Sequence, residues 1–372
     1  MITYLNYYLR QTQGKNMKKT LLSMVTLVAI SHAGGNIKTM TPLIDVIPEV
    51  QNSALDKVSF GGYGKMDYTN YIDKDGKDKL DIYRFILYAG YQFTDNIKLV
   101  SELEWEHGGR EKTGGYGIVE QAYIDFTSSE ALSIKVGHVI VPVGMVNLYH
   151  EPTAFSTVSR PETEKYIVPS TWHENGAILH GTTNSFSYQA GVVAALNASH
   201  KDDNGNVQVH DNIRSMRQNG QKSKAEDFGF VVRGDYKIPS FYIGASYYTG
   251  EASQGVSNID VSSTVAEVHA GFNASGFDIH GLYAINQIDD KNAATIDGNG
   301  YYVNASYSIG EWTPFAQYEA YTTDDTKDDI TLTTVGINYN PTHNVVLKTD
   351  YVLRDNRGKD DDRFELGIGW SF

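Results

Sequence analysis

From Lys57 to Phe372, apolar and polar positions alternate with a period of two, in runs of about ten residues broken by Gly, Pro, Asn and Asp. A β-strand sends successive side chains to opposite faces, so each run predicts a strand with one greasy and one polar face. The last run is the clearest: Phe364, Leu366, Ile368, Trp370 and Phe372 alternate with Glu365, Gly367, Gly369 and Ser371. In the third run Ile97, Leu99, Leu103 and Trp105 share one parity, and Glu102, Glu104 and Glu106 the other. The pattern predicts sixteen strands, at 58–71, 80–93, 97–106, 118–126, 132–140, 175–182, 185–196, 227–238, 241–250, 264–274, 277–288, 301–309, 313–321, 331–339, 345–353 and 363–372. Connectors alternate between short and long. That asymmetry, an even count and a strand length of about ten residues predict an all-β transmembrane antiparallel barrel over residues 57–372. The strand bearing Phe364 to Phe372 closes it, and both termini fall at the short-turn rim.

Composition agrees. There are 35 Gly and 26 Tyr, charged residues make up only 20%, and Cys is absent. Tyr suits the aromatic girdles of a membrane barrel, and the lack of Cys excludes disulfides and thiolate chemistry. Ahead of the barrel, Met17-Lys18-Lys19-Thr20, the apolar run Leu21 to Ile30 and Ser31-His32-Ala33 read as a signal peptide. We therefore expect residues 1–33 to be removed, with Met17 as initiator and 34–56 as a periplasmic lead-in. Removal takes away four basic residues and shifts the formal charge from −14 to −18. A chain this acidic is unsuited to neutralising nucleic-acid phosphates.

The lipid face must be apolar, which fixes the parity of most strands. With Phe228, Phe230, Val232 and Tyr236 outward, Arg233 and Asp235 turn in; with Val268, Ala270 and Phe272 outward, Glu267 and His269 turn in. With Val345, Leu347, Tyr351 and Leu353 outward, Lys348, Asp350 and Arg354 turn in. The expected interior holds Arg84, Arg233, Lys348 and Arg354 against Glu102, Glu104, Glu106, Asp125, Asp235, Glu267, Asp278, Glu319, Asp350 and Glu365. Sixteen strands enclose a space wide enough for water. These inward charges either line that space or pair with one another as scaffolding.

The least strand-like stretch is 137–181. A loop of some thirty residues carrying Pro152, Pro161, Pro169, Phe155, Tyr166 and Trp172 is expected to fold inward. It would set Arg160, Glu162, Glu164, Lys165, His173 and Glu174 beside a solute's path. Here the run VGHVIVPVG from Val136, Ser159-Arg160-Pro161, Val168-Pro169-Ser170-Thr171-Trp172 and Glu174-x-Gly176 resemble the phosphate-selective porin O/P family. The resemblance implies a trimeric porin of the Gram-negative outer membrane that admits small hydrophilic solutes or ions without a cofactor. Its implied partners are outer-membrane lipids and the barrel-assembly machinery that reads the terminal Phe372.

Phosphate specificity does not carry over. The family's arginine ladder and lysine ring are replaced here by Arg160 and Lys165 against Glu151, Glu162, Glu164 and Glu174. Weak selectivity with a modest cation preference is expected, the alternatives being the family's anion channel or a plugged structural or adhesive barrel. His138, His150, His173 and His180 beside Ser156, Ser159 and Ser170 have no spacing that suggests a catalytic triad, so no enzyme is expected. Neither the acidic loops at 202–205 and 360–362 nor the His set has metal-ligand spacing.

Overall fold

Sixteen of the strands in the computed structural model close into one antiparallel barrel. The structure describes residues 57–372 except 73, 75, 110–113 and 328; the expected signal peptide and lead-in lie outside the described residues. In chain order the strands are β1 (Val58–Tyr71), β2 (Lys79–Thr94), β3 (Ile97–Glu106), β4 (Tyr116–Ser129), β5 (Leu132–Ile140), β6 (His173–Thr183) and β7 (Phe186–Ala194). Next come β8 (Ser199–Lys201) and β9 (Val207–Val209), a separate ribbon within a loop, then β10 (Phe228–Ile238), β11 (Phe241–Glu251), β12 (Val261–Ala274) and β13 (Phe277–Asp290). Last are β14 (Ile296–Tyr307), β15 (Trp312–Thr322), β16 (Ile330–Thr342), β17 (Val345–Asn356) and β18 (Arg363–Ser371). Closure runs from Tyr63 opposite Ser371 to Tyr71 opposite Arg363, and Gly62 and Phe372 exchange backbone hydrogen bonds at 3.0 and 2.9 Å.

The alternation read from the sequence governs the wall. On β10, Phe230 and Val232 are 58% and 52% exposed, while Val231 and Arg233 between them are 1% and 4% exposed. The outer face is thus a continuous apolar surface. An arginine on it meets hydrocarbon, so Val232→Arg should destabilise the barrel by about 2–4 kcal/mol if it sits at mid-bilayer. Urea titration of protein folded into vesicles measures this; an unchanged midpoint would place Val232 away from lipid.

The short-rim turns use backbone conformations that follow the strand twist. Ser275 and Gly276 both have positive φ, 53° and 85°, as a two-residue primed turn requires. Several strands run past the limits the alternation set: β14 begins at Ile296 rather than Tyr301, and β12 at Val261 rather than Thr264. Beyond the bilayer both faces of a strand meet water, so the ladder continues without an apolar stripe.

Two long connectors fill much of the interior. Residues 141–172, between β5 and β6, carry the buried Val143, Met145, Ile167, Val168 and Trp172, and residues 195–227 carry Leu196, Ile213 and Met216. They pack with the inward wall aromatics Tyr63, Tyr88, Tyr248 and Tyr302 as one cluster, and Trp172 meets Tyr248 edge-on at 4.6 Å. The sequence pattern predicts no helix in the first connector. A short one, α1 (Glu162–Tyr166), follows Pro161 with two acids in its first turn, an arrangement that favours helix initiation.

Candidate functional site

A polar loop folded where water is scarce must find partners for its backbone. The 141–172 loop finds them on the inner wall. Glu267 on β12 accepts the Gly144 N–H at 3.4 Å, Asp350 on β17 the Val158 N–H at 2.7 Å, and Glu319 on β15 the Thr163 N–H at 3.0 Å. The Ser159 hydroxyl donates to Glu365 on β18 at 2.9 Å. Wall bases serve the carbonyls: Arg233 donates to Gly144 O at 2.6 Å, and Lys348 to Phe155 O and Thr157 O. Inside the loop, Glu164 accepts the N–H groups of Met145, Val146 and Asn147 at 3.1, 2.9 and 3.3 Å, and the Tyr302 hydroxyl at 3.0 Å.

The small face of β18 lets the loop come close. A Cβ on Gly369 would stand 2.6 Å from Pro152 Cβ, so only glycine fits beneath that proline. The second long connector locks onto the first: Arg217 donates to Pro169 O at 3.1 Å and also to Thr171 O, while Glu174 accepts the Gln218 N–H at 2.8 Å. Burial, then the neighbouring Arg214 charge, lowers the Arg217 guanidinium to about 9.

Most charges expected beside the path are therefore buried between the two connectors and the wall. Arg84, Glu102, Glu104, Glu164, His173, Glu174, Arg233 and Lys348 are all buried. Arg84 binds Glu104 and Glu120, and His173 Nδ1 lies 2.7 Å from His138 Nε2. Strand parity tells which side chains point inward. It cannot tell which of those a folded loop then covers.

Arg160, Glu162, Lys165 and Arg354 do converge. They line a cavity of about 380 Å³ between the loop and β1, β2, β17 and β18. The cavity also takes in Lys65, Lys79, Arg214 and Arg363, which sequence reasoning missed, together with Asp67, Asp81, Asp361 and Glu365. Seven Lys and Arg thus face five Asp and Glu among the described residues. Glu162 lies 2.9 Å from Arg354 and 3.5 Å from Arg363, and accepts the Tyr321 hydroxyl at 2.7 Å. Burial alone would raise the Glu162 carboxyl, but Arg363 and Arg354 outweigh it and hold the group below its usual range. Arg160 Nη1 donates to Thr171 Oγ1 at 2.6 Å, while its buried Nη2 has no hydrogen-bond partner among the described residues.

Two of the missed bases had a signal, since Lys65 shares parity with Asp67 and Arg363 with Glu365. Arg214 sits in an aperiodic loop and had none. A second cavity of about 230 Å³ lies against β4 to β7 and β10, lined by Lys135, His180, Asp235 and Lys237 among others.

Of the serines weighed for catalysis, Ser156 Oγ donates to Asn304 at 3.2 Å and Ser159 is committed to Glu365, while the buried Ser170 Oγ has no hydrogen-bond partner among the described residues. Asp202 accepts the N–H groups of Asn204 and Asn206 at the tip of the β8–β9 ribbon, and Asp361 pairs with Lys74 and Arg354.

Residues 50–359 match the Gram-negative porin family. An uncharacterized protein of Aquifex aeolicus (strain VF5) is 33% identical, over 85% of this chain and 80% of its own. Among solved structures, the anion-selective porin from Comamonas acidovorans is similar at a TM-score of 0.61, with 13% identity over 85% of this chain and 99% of that one. OmpT of Vibrio cholerae is similar at 0.60, with 14% identity over 87% and 100%.

Proposed function

We propose, from the premise that this chain belongs to the Gram-negative porin family, that its channel passes small anions somewhat more readily than cations. It is an outer-membrane porin through which small hydrophilic solutes diffuse. The observation behind the preference is the balance of the larger cavity, seven basic side chains against five acidic ones. Rings of Arg and Lys favour anions, and a low-dielectric wall concentrates their field. The overall acidity that pointed to cations counts carboxylates which the folded loop has taken up as hydrogen-bond acceptors.

A planar bilayer separating unequal KCl solutions tests this. The zero-current potential should report chloride as the more permeant ion, and potassium preference would overturn the reading. Lys79→Glu with Lys165→Glu should move that potential toward cations. The permeability ratio should change by up to about fivefold per charge, the worth of ~1 kcal/mol for one charge at 4 Å in water.

The same reading places the barrel in outer-membrane lipid as a homotrimer delivered by the barrel-assembly machinery; OmpT of Vibrio cholerae has a trimer form. The loop motifs from Val136 to Gly176 support placing it in the phosphate-selective O/P branch, without that branch's phosphate specificity. The role is non-catalytic.

A further inference from the structure

Between the loop and β3–β4 lies a group of side chains that conduction does not use. Glu102 on β3, Glu120 on β4 and His150 on the loop are 1%, 1% and 3% exposed, and each contributes an atom to a set whose members all lie within 4.8 Å of one another. His150 Nε2 is 3.3 Å from Glu102 Oε1 and 3.6 Å from Glu120 Oε2. Tetrahedral zinc, with bonds of ~2.0–2.2 Å to nitrogen and oxygen, holds its ligand atoms ~3.3–3.5 Å apart.

The other atom of each group is already fixed. His150 Nδ1 donates to Asn147 O at 3.0 Å, Gln121 Nε2 donates to Glu102 Oε2 at 2.7 Å, and Arg84 Nη2 donates to Glu120 Oε1 at 2.7 Å. Backing of this kind is what orients metal ligands. With its Nδ1 proton committed to Asn147, a neutral His150 turns an Nε2 lone pair toward two carboxylates. Glu120 Oε2 accepts no hydrogen bond among the described residues. Three acceptors facing one another in a buried space call for a cation.

The charges agree in size and sign. Glu102, Glu104 and Glu120 carry three formal negative charges against the one positive charge of Arg84, so a divalent ion cancels the remainder. One imidazole nitrogen with two carboxylate oxygens suits zinc or a similar first-row ion rather than calcium, which takes six to eight oxygens. We infer that Glu102, Glu120 and His150 form a zinc-type divalent cation site that clasps the 141–172 loop to the barrel wall.

The test is to refold the full chain with EDTA or with ZnCl₂, since the site is too enclosed for reliable loading afterwards, and to count bound zinc after gel filtration. One zinc per chain is expected, with a higher temperature of barrel unfolding than in the EDTA sample. His150→Gln should lower zinc affinity by more than about 100-fold, and Gln121→Met by about 10–100-fold, the range for losing an outer-shell partner. Should His150→Gln fail to fold, Co²⁺ in the unaltered chain decides, because a tetrahedral site gives an intense visible spectrum that zinc abolishes. No stoichiometric zinc, zinc retained by His150→Gln, or an octahedral cobalt spectrum would each overturn the assignment; an ion pair between a protonated His150 and the two carboxylates would then remain.

Discussion

Glu164→Ala should raise single-channel conductance several-fold. The carboxylate gathers three successive N–H groups, Met145 to Asn147, and the Tyr302 hydroxyl into one buried point. Alanine removes all four acceptor contacts at once. Each buried donor left unsatisfied costs about 1–3 kcal/mol, so the turn gains more by opening to water than by staying packed. Its neighbours Val143 and Met145 are buried in the same cluster and should move with it. Glu164→Gln keeps one acceptor oxygen and should fall between. Conductance in planar bilayers is the measurement, and an alanine variant indistinguishable from the parent would deny Glu164 this role.

Arg84→Met should be the most destabilising change on the wall. Arg84 is 2% exposed and lies between Glu104 and Glu120, 2% and 1% exposed. Breaking a buried pair by removing one partner typically costs about 3–5 kcal/mol, because the surviving charge has no solvent. Here two carboxylates survive and repel each other. Glu104→Gln added to Arg84→Met removes part of that repulsion, so the double variant should unfold at a higher urea concentration than Arg84→Met alone. Equal midpoints would show that the two acids do not feel each other through Arg84.

The wall was legible in the sequence because lipid enforces its code. Every membrane strand has to expose apolar groups on one side, and Phe228, Phe230, Val232 and Tyr236 could be assigned outward without any tertiary information. The interior carries no such code. Glu319 and Glu162 look alike as inward acids. One takes a backbone N–H from α1 and the other two arginines, and only the path of the loop separates these fates. The cavity between the loop and β1, β2, β17 and β18 was half legible for the same reason: Arg160, Glu162, Lys165 and Arg354 were singled out, whereas Arg214 arrives from a second loop that lacks periodicity. The helix after Pro161 spans only Glu162–Tyr166, too short a run for a helical period to show in the sequence.

The partners that hold the 141–172 loop are far along the chain. Val158 and Asp350 are 192 residues apart, Ser159 and Glu365 206, and Thr163 and Glu319 156. Contacts of such long range form only after the intervening chain has found its place. The loop therefore cannot take its final seat with its flanking strands β5 and β6 alone, since its acceptors sit on β15, β17 and β18.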